Sequence, residues 1–191
     1  MSKTIIYFHG FKSSSDSKKA HNLKQFIKTD TKNTSIIIPD LSDKFEDANT
    51  QINDLIKSCE TDIVFMGSSL GGYYALYYSQ LLSTKAVLIN PAIPPLIGFD
   101  KNLGENENYS TGNKFVISEE DISFLKNLSY KKLSNHSNIM VLVESGDEIL
   151  AFDKAISYFN GVHIDITFGG DHSYQSLSNK FTKIKKFLSM T

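Results

Sequence analysis

Arginine and tryptophan are absent from the 191 residues, and cysteine occurs once, as Cys59. With every one of the basic side chains a lysine, no planar guanidinium fork is available to grip a phosphate or carboxylate. Any anion site must use lysine or backbone N–H groups. A single cysteine excludes an internal disulfide framework and a zinc site built on several thiolates. Cys59 itself reads as a small buried hydrophobe near a helix end. No apolar run approaches the roughly 20 residues of a membrane span. The opening Met1-Ser2-Lys3-Thr4 runs directly into a strand-like segment without a signal-peptide core, so a cytoplasmic location is expected. A formal net charge of −1 supplies no field to gather nucleic acid or an anionic membrane, and neither is expected as a partner. Oligomeric state is not legible.

What is present is a rhythm. Apolar, β-branched runs at 5–8, 36–38, 63–66, 86–89, 139–143 and 164–168 alternate with helix-period segments at 16–28, 44–58, 69–82, 119–128, 151–159 and 178–189. The first five runs are nearly continuous in hydrophobicity, as strands buried on both faces of a parallel sheet require. The last alternates more, which suits an edge. Asp16 is the candidate cap of the first helix. The rhythm predicts a single α/β domain over 1–191, a six-stranded, mainly parallel sheet with helices on both faces. Ligands then belong at the carboxyl ends of the strands. Residues 91–118 break the rhythm: Pro91, Pro94 and Pro95 lead into a polar stretch. A connection of this length without evident structure is uncommon in a compact domain, and it reads as a small lid or pocket wall after the fourth strand.

The sharpest chemical signal is Gly67-Ser68-Ser69-Leu70-Gly71-Gly72. A Gly-x-Ser-x-Gly match alone is weak, since chance supplies one in about every fifteen to twenty chains of this size. Its setting is more specific: it follows a buried strand and opens a helix, as the nucleophile elbow of an α/β-hydrolase does. There the serine sits on a sharp strand-to-helix turn, and a side chain two positions to either side would collide with that turn. Ser69 is therefore the candidate nucleophile, and Ser68, not flanked symmetrically by glycines, is rejected. The N–H of Leu70 lies at a helix N-terminus and faces developing negative charge. A second oxyanion donor is expected from His9-Gly10-Phe11, directly after the first strand, through the N–H of Phe11. In this fold the general base follows the nucleophile, which sets His9 aside as a structural histidine. Of His136, His163 and His172, only His172 lies both after the nucleophile and at the carboxyl end of a strand, behind the Gly169-Gly170-Asp171 turn. The acid should follow the penultimate strand. Asp147 does, with Glu148 and Asp171 as its neighbouring rivals.

Together, His9-Gly10-Phe11, Gly67-Ser68-Ser69-Leu70-Gly71-Gly72-Tyr73-Tyr74-Ala75, Asn90-Pro91-Ala92, Leu103-Gly104-Glu105-Asn106-Glu107-Asn108, Thr111-Gly112, Ser145-Gly146-Asp147-Glu148 and Gly169-Gly170-Asp171-His172 resemble the YqiA-type esterases, small bacterial α/β-hydrolases. The resemblance runs nearly end to end. It implies esterase activity, including acyl thioesters, and a triad at Ser69, Asp147 and His172. One departure is Asn108-Tyr109-Ser110, where family members often carry proline; it bears on the shape of the lid. The expected substrate is a small to medium acyl ester or thioester, and no metal or organic cofactor is expected. Acyl transfer by the same nucleophile, or a ligand-binding protein with a vestigial triad, are the alternatives. Tyr73, Tyr74 and Phe99 are candidates for an acyl pocket, and equally for ordinary core aromatics. Lys12 is a candidate contact for a phosphate-bearing leaving group, or else a solvated lysine.

Overall fold

The apolar runs become strands wherever both of their faces can be covered. The computed structural model describes residues 2–191. Six parallel strands form one sheet: β1 (Lys3–Phe8), β2 (Thr34–Ile37), β3 (Asp62–Ser68), β4 (Ala86–Ile89), β7 (Ile139–Glu144) and β8 (His163–Thr167), in the order β2-β1-β3-β4-β7-β8. The helices are α1 (Lys18–Asp30), α2 (Phe45–Ser58), α3 (Leu70–Leu82), α4 (Glu119–Asn127), α5 (Phe152–Tyr158) and α6 (Phe181–Phe187). Alternate residues of the central strands feed two cores. Ile6, Phe8, Phe65, Leu88 and Val141 pack with apolar residues of α2, α3, α4 and α5. Ile5, Tyr7, Met66, Ile89 and Leu142 pack with residues of α1 and α6 on the other face. This is the two-sided burial that continuous hydrophobic strands call for, and the architecture is an α/β-hydrolase fold.

Two edges behave differently. β8 is an edge strand with mixed burial, in keeping with its alternation. β2 is the opposite edge, and none of its four residues is fully buried, although its sequence predicts an interior strand. Its isoleucines are half covered because no strand lies beyond them.

Two helix ends also differ from expectation. Ser17, not Asp16, caps α1: its side chain accepts the Ala20 N–H, and Asp16 is exposed. The final helical segment divides into a 3₁₀ turn (Leu177–Lys180) and α6.

Residues 91–118 are not structureless. A 3₁₀ turn (Phe99–Asn102) precedes an antiparallel hairpin, β5 (Gly104–Glu107) with β6 (Lys114–Ile117). Its turn is pinned to the body of the protein. The Asn108 amide donates to Asp43 Oδ1 at 2.9 Å, and the Tyr109 N–H to the Lys12 carbonyl at 3.0 Å.

The chain runs from β1 outward to β2, then crosses back to β3 on the other side of β1. That reversal makes the carboxyl ends of β1 and β3 the switch point, where an open α/β sheet leaves a crevice. Phe8 pairs with Gly67 in register, so the loop starting at His9 lies beside the loop holding Ser69.

Candidate active site

Ser69 occupies the turn between β3 and α3 with φ 56° and ψ −122°, a conformation a side-chain-bearing residue adopts only under constraint. The flanking glycines show why it is held there. A Cβ at Gly67 would lie 2.0 Å from the Gly71 carbonyl oxygen, and one at Gly71 would lie 2.0 Å from the Phe8 carbonyl oxygen. The Ser69 N–H donates to the Ile89 carbonyl at 3.0 Å, and its own carbonyl accepts the N–H groups of Gly72 and Ala92. The strained turn is thus tied to β4 as well as to its own helix. Ser68 points its hydroxyl into the interior and is 1% exposed.

Two loops converge on Ser69 from the far side of β4. His172 Nε2 lies 3.0 Å from Ser69 Oγ, and its Nδ1 lies 2.9 and 2.8 Å from the two oxygens of Asp147. The Asp147 side chain is 1% exposed, and its Oδ1 also accepts the N–H groups of Ile149 and Leu150. Those backbone donors orient the carboxylate along the loop after β7. The carboxylate then requires Nδ1 of His172 to carry the ring proton. Nε2 is left to accept from the Ser69 hydroxyl. A hydroxyl, an imidazole and a carboxylate in this order form a proton relay able to activate an oxygen nucleophile.

The oxyanion candidates adjoin the serine, Leu70 in sequence and Phe11 through Gly10. A Cβ at Gly10 would sit 3.3 Å from Ser69 Cβ, so Gly10, the residue before Phe11, lies directly against the serine. Neither the Phe11 nor the Leu70 N–H forms a hydrogen bond among the described residues. The two rival carboxylates are engaged elsewhere. Glu148 accepts the backbone N–H of His172 at 3.0 Å rather than its ring, and Asp171 accepts from Ser173 and Gln175.

His9 is 7% exposed, with Nδ1 bonded to the Gly10 carbonyl and Nε2 accepting the Leu41 N–H at 3.2 Å. It braces the loop that carries Phe11. Burial lowers its pKa and keeps it neutral, while the Gly10 carbonyl and Asp40 and Asp43 pull weakly the other way. His136 begins a 3₁₀ turn, and His163 opens β8 at the amino end of the sheet, packing on Phe187. Cys59 caps the end of α2, and burial raises its thiol pKa.

Beside Ser69 lies a crevice of about 20 Å³ lined by Gly10, Phe11, Leu41, Phe45, Leu70 and Tyr74, with Lys12 and Asp43 among its polar lining. Tyr74 is 3% exposed and its hydroxyl has no partner among the described residues. Phe99 stands behind this wall, with ring centroids 5.3 Å from Phe11 and 5.8 Å from Phe45. Phe115 of the hairpin meets Phe11 edge-on at 5.9 Å. Tyr73 is placed differently: its hydroxyl donates to the Leu125 carbonyl at 3.0 Å, and it lines a separate crevice with Tyr77, Pro94 and Tyr158. Lys12 Nζ lies 5.2 Å from the ring centroids of both Phe11 and Tyr109.

Sequence reasoning missed three residues that grip the histidine loop: Glu144, Asn90 and Lys19. The Asn90 amide donates to the Asp171 carbonyl at 3.0 Å, and Lys19 Nζ to the Ser173 carbonyl at 3.0 Å. The signal available was a carboxylate closing an otherwise apolar strand, Ile139 to Val143. No helix among the described residues is long and apolar enough to cross a membrane.

A UPF0227 protein of Vibrio parahaemolyticus is 28% identical over 189 residues, covering 96% of this chain and 94% of the relative. Mouse alpha/beta hydrolase domain-containing protein 10 superposes with a TM-score of 0.77 at 17% identity, over 97% of this chain and 89% of that one. Est1E from Butyrivibrio proteoclasticus, solved with ferulic acid bound, superposes at 0.73 and 15% identity, over 97% and 88%. The family described as uncharacterised protein family UPF0227 matches residues 4–189, and the chain belongs to it, the same family that the sequence resembles as YqiA-type.

Proposed function

We propose that this protein is a serine esterase that hydrolyses small to medium acyl esters, acyl thioesters included, through an acyl-enzyme on Ser69. The observation that carries the reading is the position of the His172 imidazole, with Nε2 3.0 Å from Ser69 Oγ and Nδ1 2.8 Å from Asp147 Oδ2. The esterase domain of a Rhodothermus marinus protein, which shares the fold with a TM-score of 0.66 at 15% identity, lends support at the level of architecture.

In this mechanism the substrate carbonyl settles over Ser69 with its oxygen toward the N–H groups of Phe11 and Leu70. The Ser69 hydroxyl gives its proton to His172 Nε2 as Oγ bonds to the carbonyl carbon. The tetrahedral oxyanion is held by the two backbone donors, and Asp147 stabilises the imidazolium without taking its proton. The C–O or C–S bond to the leaving group breaks, and the leaving group takes the proton from Nε2. Water, deprotonated by the same nitrogen, then attacks the acyl-enzyme and frees Ser69 with release of the acid. The acyl end occupies the crevice formed by Phe11, Leu41, Phe45 and Leu70.

The test is labelling by a fluorophosphonate together with turnover of p-nitrophenyl and acyl-thioester series. The wild-type chain should be labelled at Ser69. Ser69→Ala should lose both labelling and turnover, by about a millionfold in kcat, with its far-UV spectrum unchanged. Full turnover in Ser69→Ala sinks the reading.

A further inference from the structure

A carboxylate the relay does not use sits at the centre of the loop that supplies its base. Glu144 ends β7 and is 0% exposed. Its Oε2 accepts the N–H groups of Asp171 at 2.9 Å and Gln175 at 3.0 Å, and its Oε1 accepts that of Ser176 at 2.8 Å. Of the other N–H groups between 171 and 176, that of His172 goes to Glu148, that of Ser173 to the Asp171 side chain and that of Tyr174 to the Asp171 carbonyl. Every amide of the loop is therefore taken, and half of them converge on one buried side chain. The same strand-end layer grips the loop by its carbonyls, since Asn90 Nδ2 donates to Asp171 while Asn90 Oδ1 accepts the Glu144 N–H at 2.9 Å.

Only a carboxylate can do this. Its two oxygens offer about four acceptor sites, whereas the isosteric amide offers one oxygen and turns an NH₂ toward the remaining donors. The loop also passes too close for any side chain to intervene. Gly170 has φ +72°, and a Cβ there would lie 1.9 Å from Glu144 Oε2. The glycine pair before His172 thus does more than bend the chain: it lets the backbone lie against the carboxylate.

We propose that Glu144 is a positioning residue for the reaction at Ser69, holding the 171–176 backbone so that the His172 imidazole stands between Asp147 and Ser69. The inference rests on the esterase reading given above. Lys19 from α1, Asp147 and Glu148 from the loop after β7, and Asp171, His172 and Tyr174 from the loop itself are the charged and titratable neighbours. Glu144→Gln alters the charge they share as well as the hydrogen bonds.

The experiment compares wild type, Glu144→Gln and Gly170→Ala with Asn135→Ala, which removes the 2.9 Å hydrogen bond from the Asn135 amide to the Ser79 carbonyl at the amino end of the sheet, away from Ser69. Fluorophosphonate labelling of Ser69 and p-nitrophenyl acetate kinetics are read at a temperature where each is folded by circular dichroism. A displaced imidazole predicts that kcat and labelling rate fall about a hundredfold in Glu144→Gln and Gly170→Ala. KM should move by less than about twofold, the acid limb of the pH–rate profile should shift, and Asn135→Ala should retain wild-type rates. In the wild-type protein, the amides of residues 171, 175 and 176 should exchange as slowly as those of β7. Wild-type kcat and labelling in folded Glu144→Gln would reduce Glu144 to a purely structural role. Rapid exchange of those three amides would overturn the inference with no variant needed. If the wild-type chain is not labelled at Ser69, the esterase reading fails and this inference falls with it. If labelling is normal in every variant, only the inference falls.

Discussion

A methyl group at position 67 would collide with the Gly71 carbonyl, and one at 71 with the Phe8 carbonyl, in both cases at 2.0 Å. Neither contact can be relieved by rotating a side chain, because each partner is backbone. Gly67→Ala and Gly71→Ala are therefore expected to cost at least about 3 kcal/mol each in urea unfolding. Both should lose Ser69 labelling even where they fold. Asp147→Asn should act differently. Its bulk fits, but an amide nitrogen facing Nδ1 favours the wrong imidazole tautomer, and kcat should drop about ten-thousandfold with little change in stability. At this scale the meeting of Ser69, Asp147 and His172 was legible because each is tied to a strand end by sequence order. Glu144 and Asn90 were not, because their work is to accept and donate backbone hydrogen bonds, and nothing in a single sequence marks which carboxylate or amide will meet them. Tyr73 and Tyr74 were equally ambiguous. Neighbours on a helix point to different sides, and only Tyr74 reaches the crevice beside Phe11 and Leu70.

The central strands β1, β3, β4 and β7 could be read directly, since burial on two faces leaves an unbroken apolar run with no competing interpretation. The hairpin of β5 and β6 could not. Gly104-Glu105-Asn106-Glu107 has no apolar alternation, and the pair is held by anchors distant in sequence. Asn108 is 4% exposed and serves Asp43, Ser13, Ser110 and Thr111 at once. Asn108→Ala should cost about 1–3 kcal/mol, speed hydrogen exchange across 104–117, and raise KM by loosening the wall behind Phe11. Unchanged exchange in the hairpin would show that other contacts hold it. At α4, Ser118 and Asp121 form a reciprocal capping box, and Ser118→Ala should cost about 1 kcal/mol in urea unfolding. In the crevice wall, Leu41→Ala should move the acyl-chain preference toward longer p-nitrophenyl esters. An unaltered chain-length profile would place the acyl group elsewhere.

The molecule as a whole should be bounded in pH from both sides. On the acid side, His9 is held below its ordinary value of about 6.5 by burial. Between that value and the lowered one, the unfolded chain binds a proton that the native chain does not, so stability falls as pH drops through this window. A proton on Nε2 would also face the Leu41 N–H it now accepts. Glu144 and Asp165 add a further loss at lower pH. Burial alone would raise both, but the hydrogen bonds each accepts outweigh it and leave both below the ordinary carboxylate range. On the alkaline side, burial pushes Tyr73 and Tyr174 up to about 12 and raises Tyr7, Tyr74 and Tyr78 as well. Their contribution is complete below the ordinary tyrosine value of about 10 and is lost as pH rises through the raised values. Thermal unfolding from pH 4 to 11 should show both limbs, and His9→Asn should remove the onset near 6.5. The parallel sheet has one more consequence, for the order in which the protein comes into being. The hydroxyl at 69 and its proton acceptor are separated by 103 positions along the chain. A ribosome that has made the serine, its elbow and four of the six sheet strands has still not made the imidazole. Nascent polypeptides halted before residue 172 should therefore stay unlabelled by a fluorophosphonate in cell-free translation, so that chemical competence waits for the loop that follows the last sheet strand.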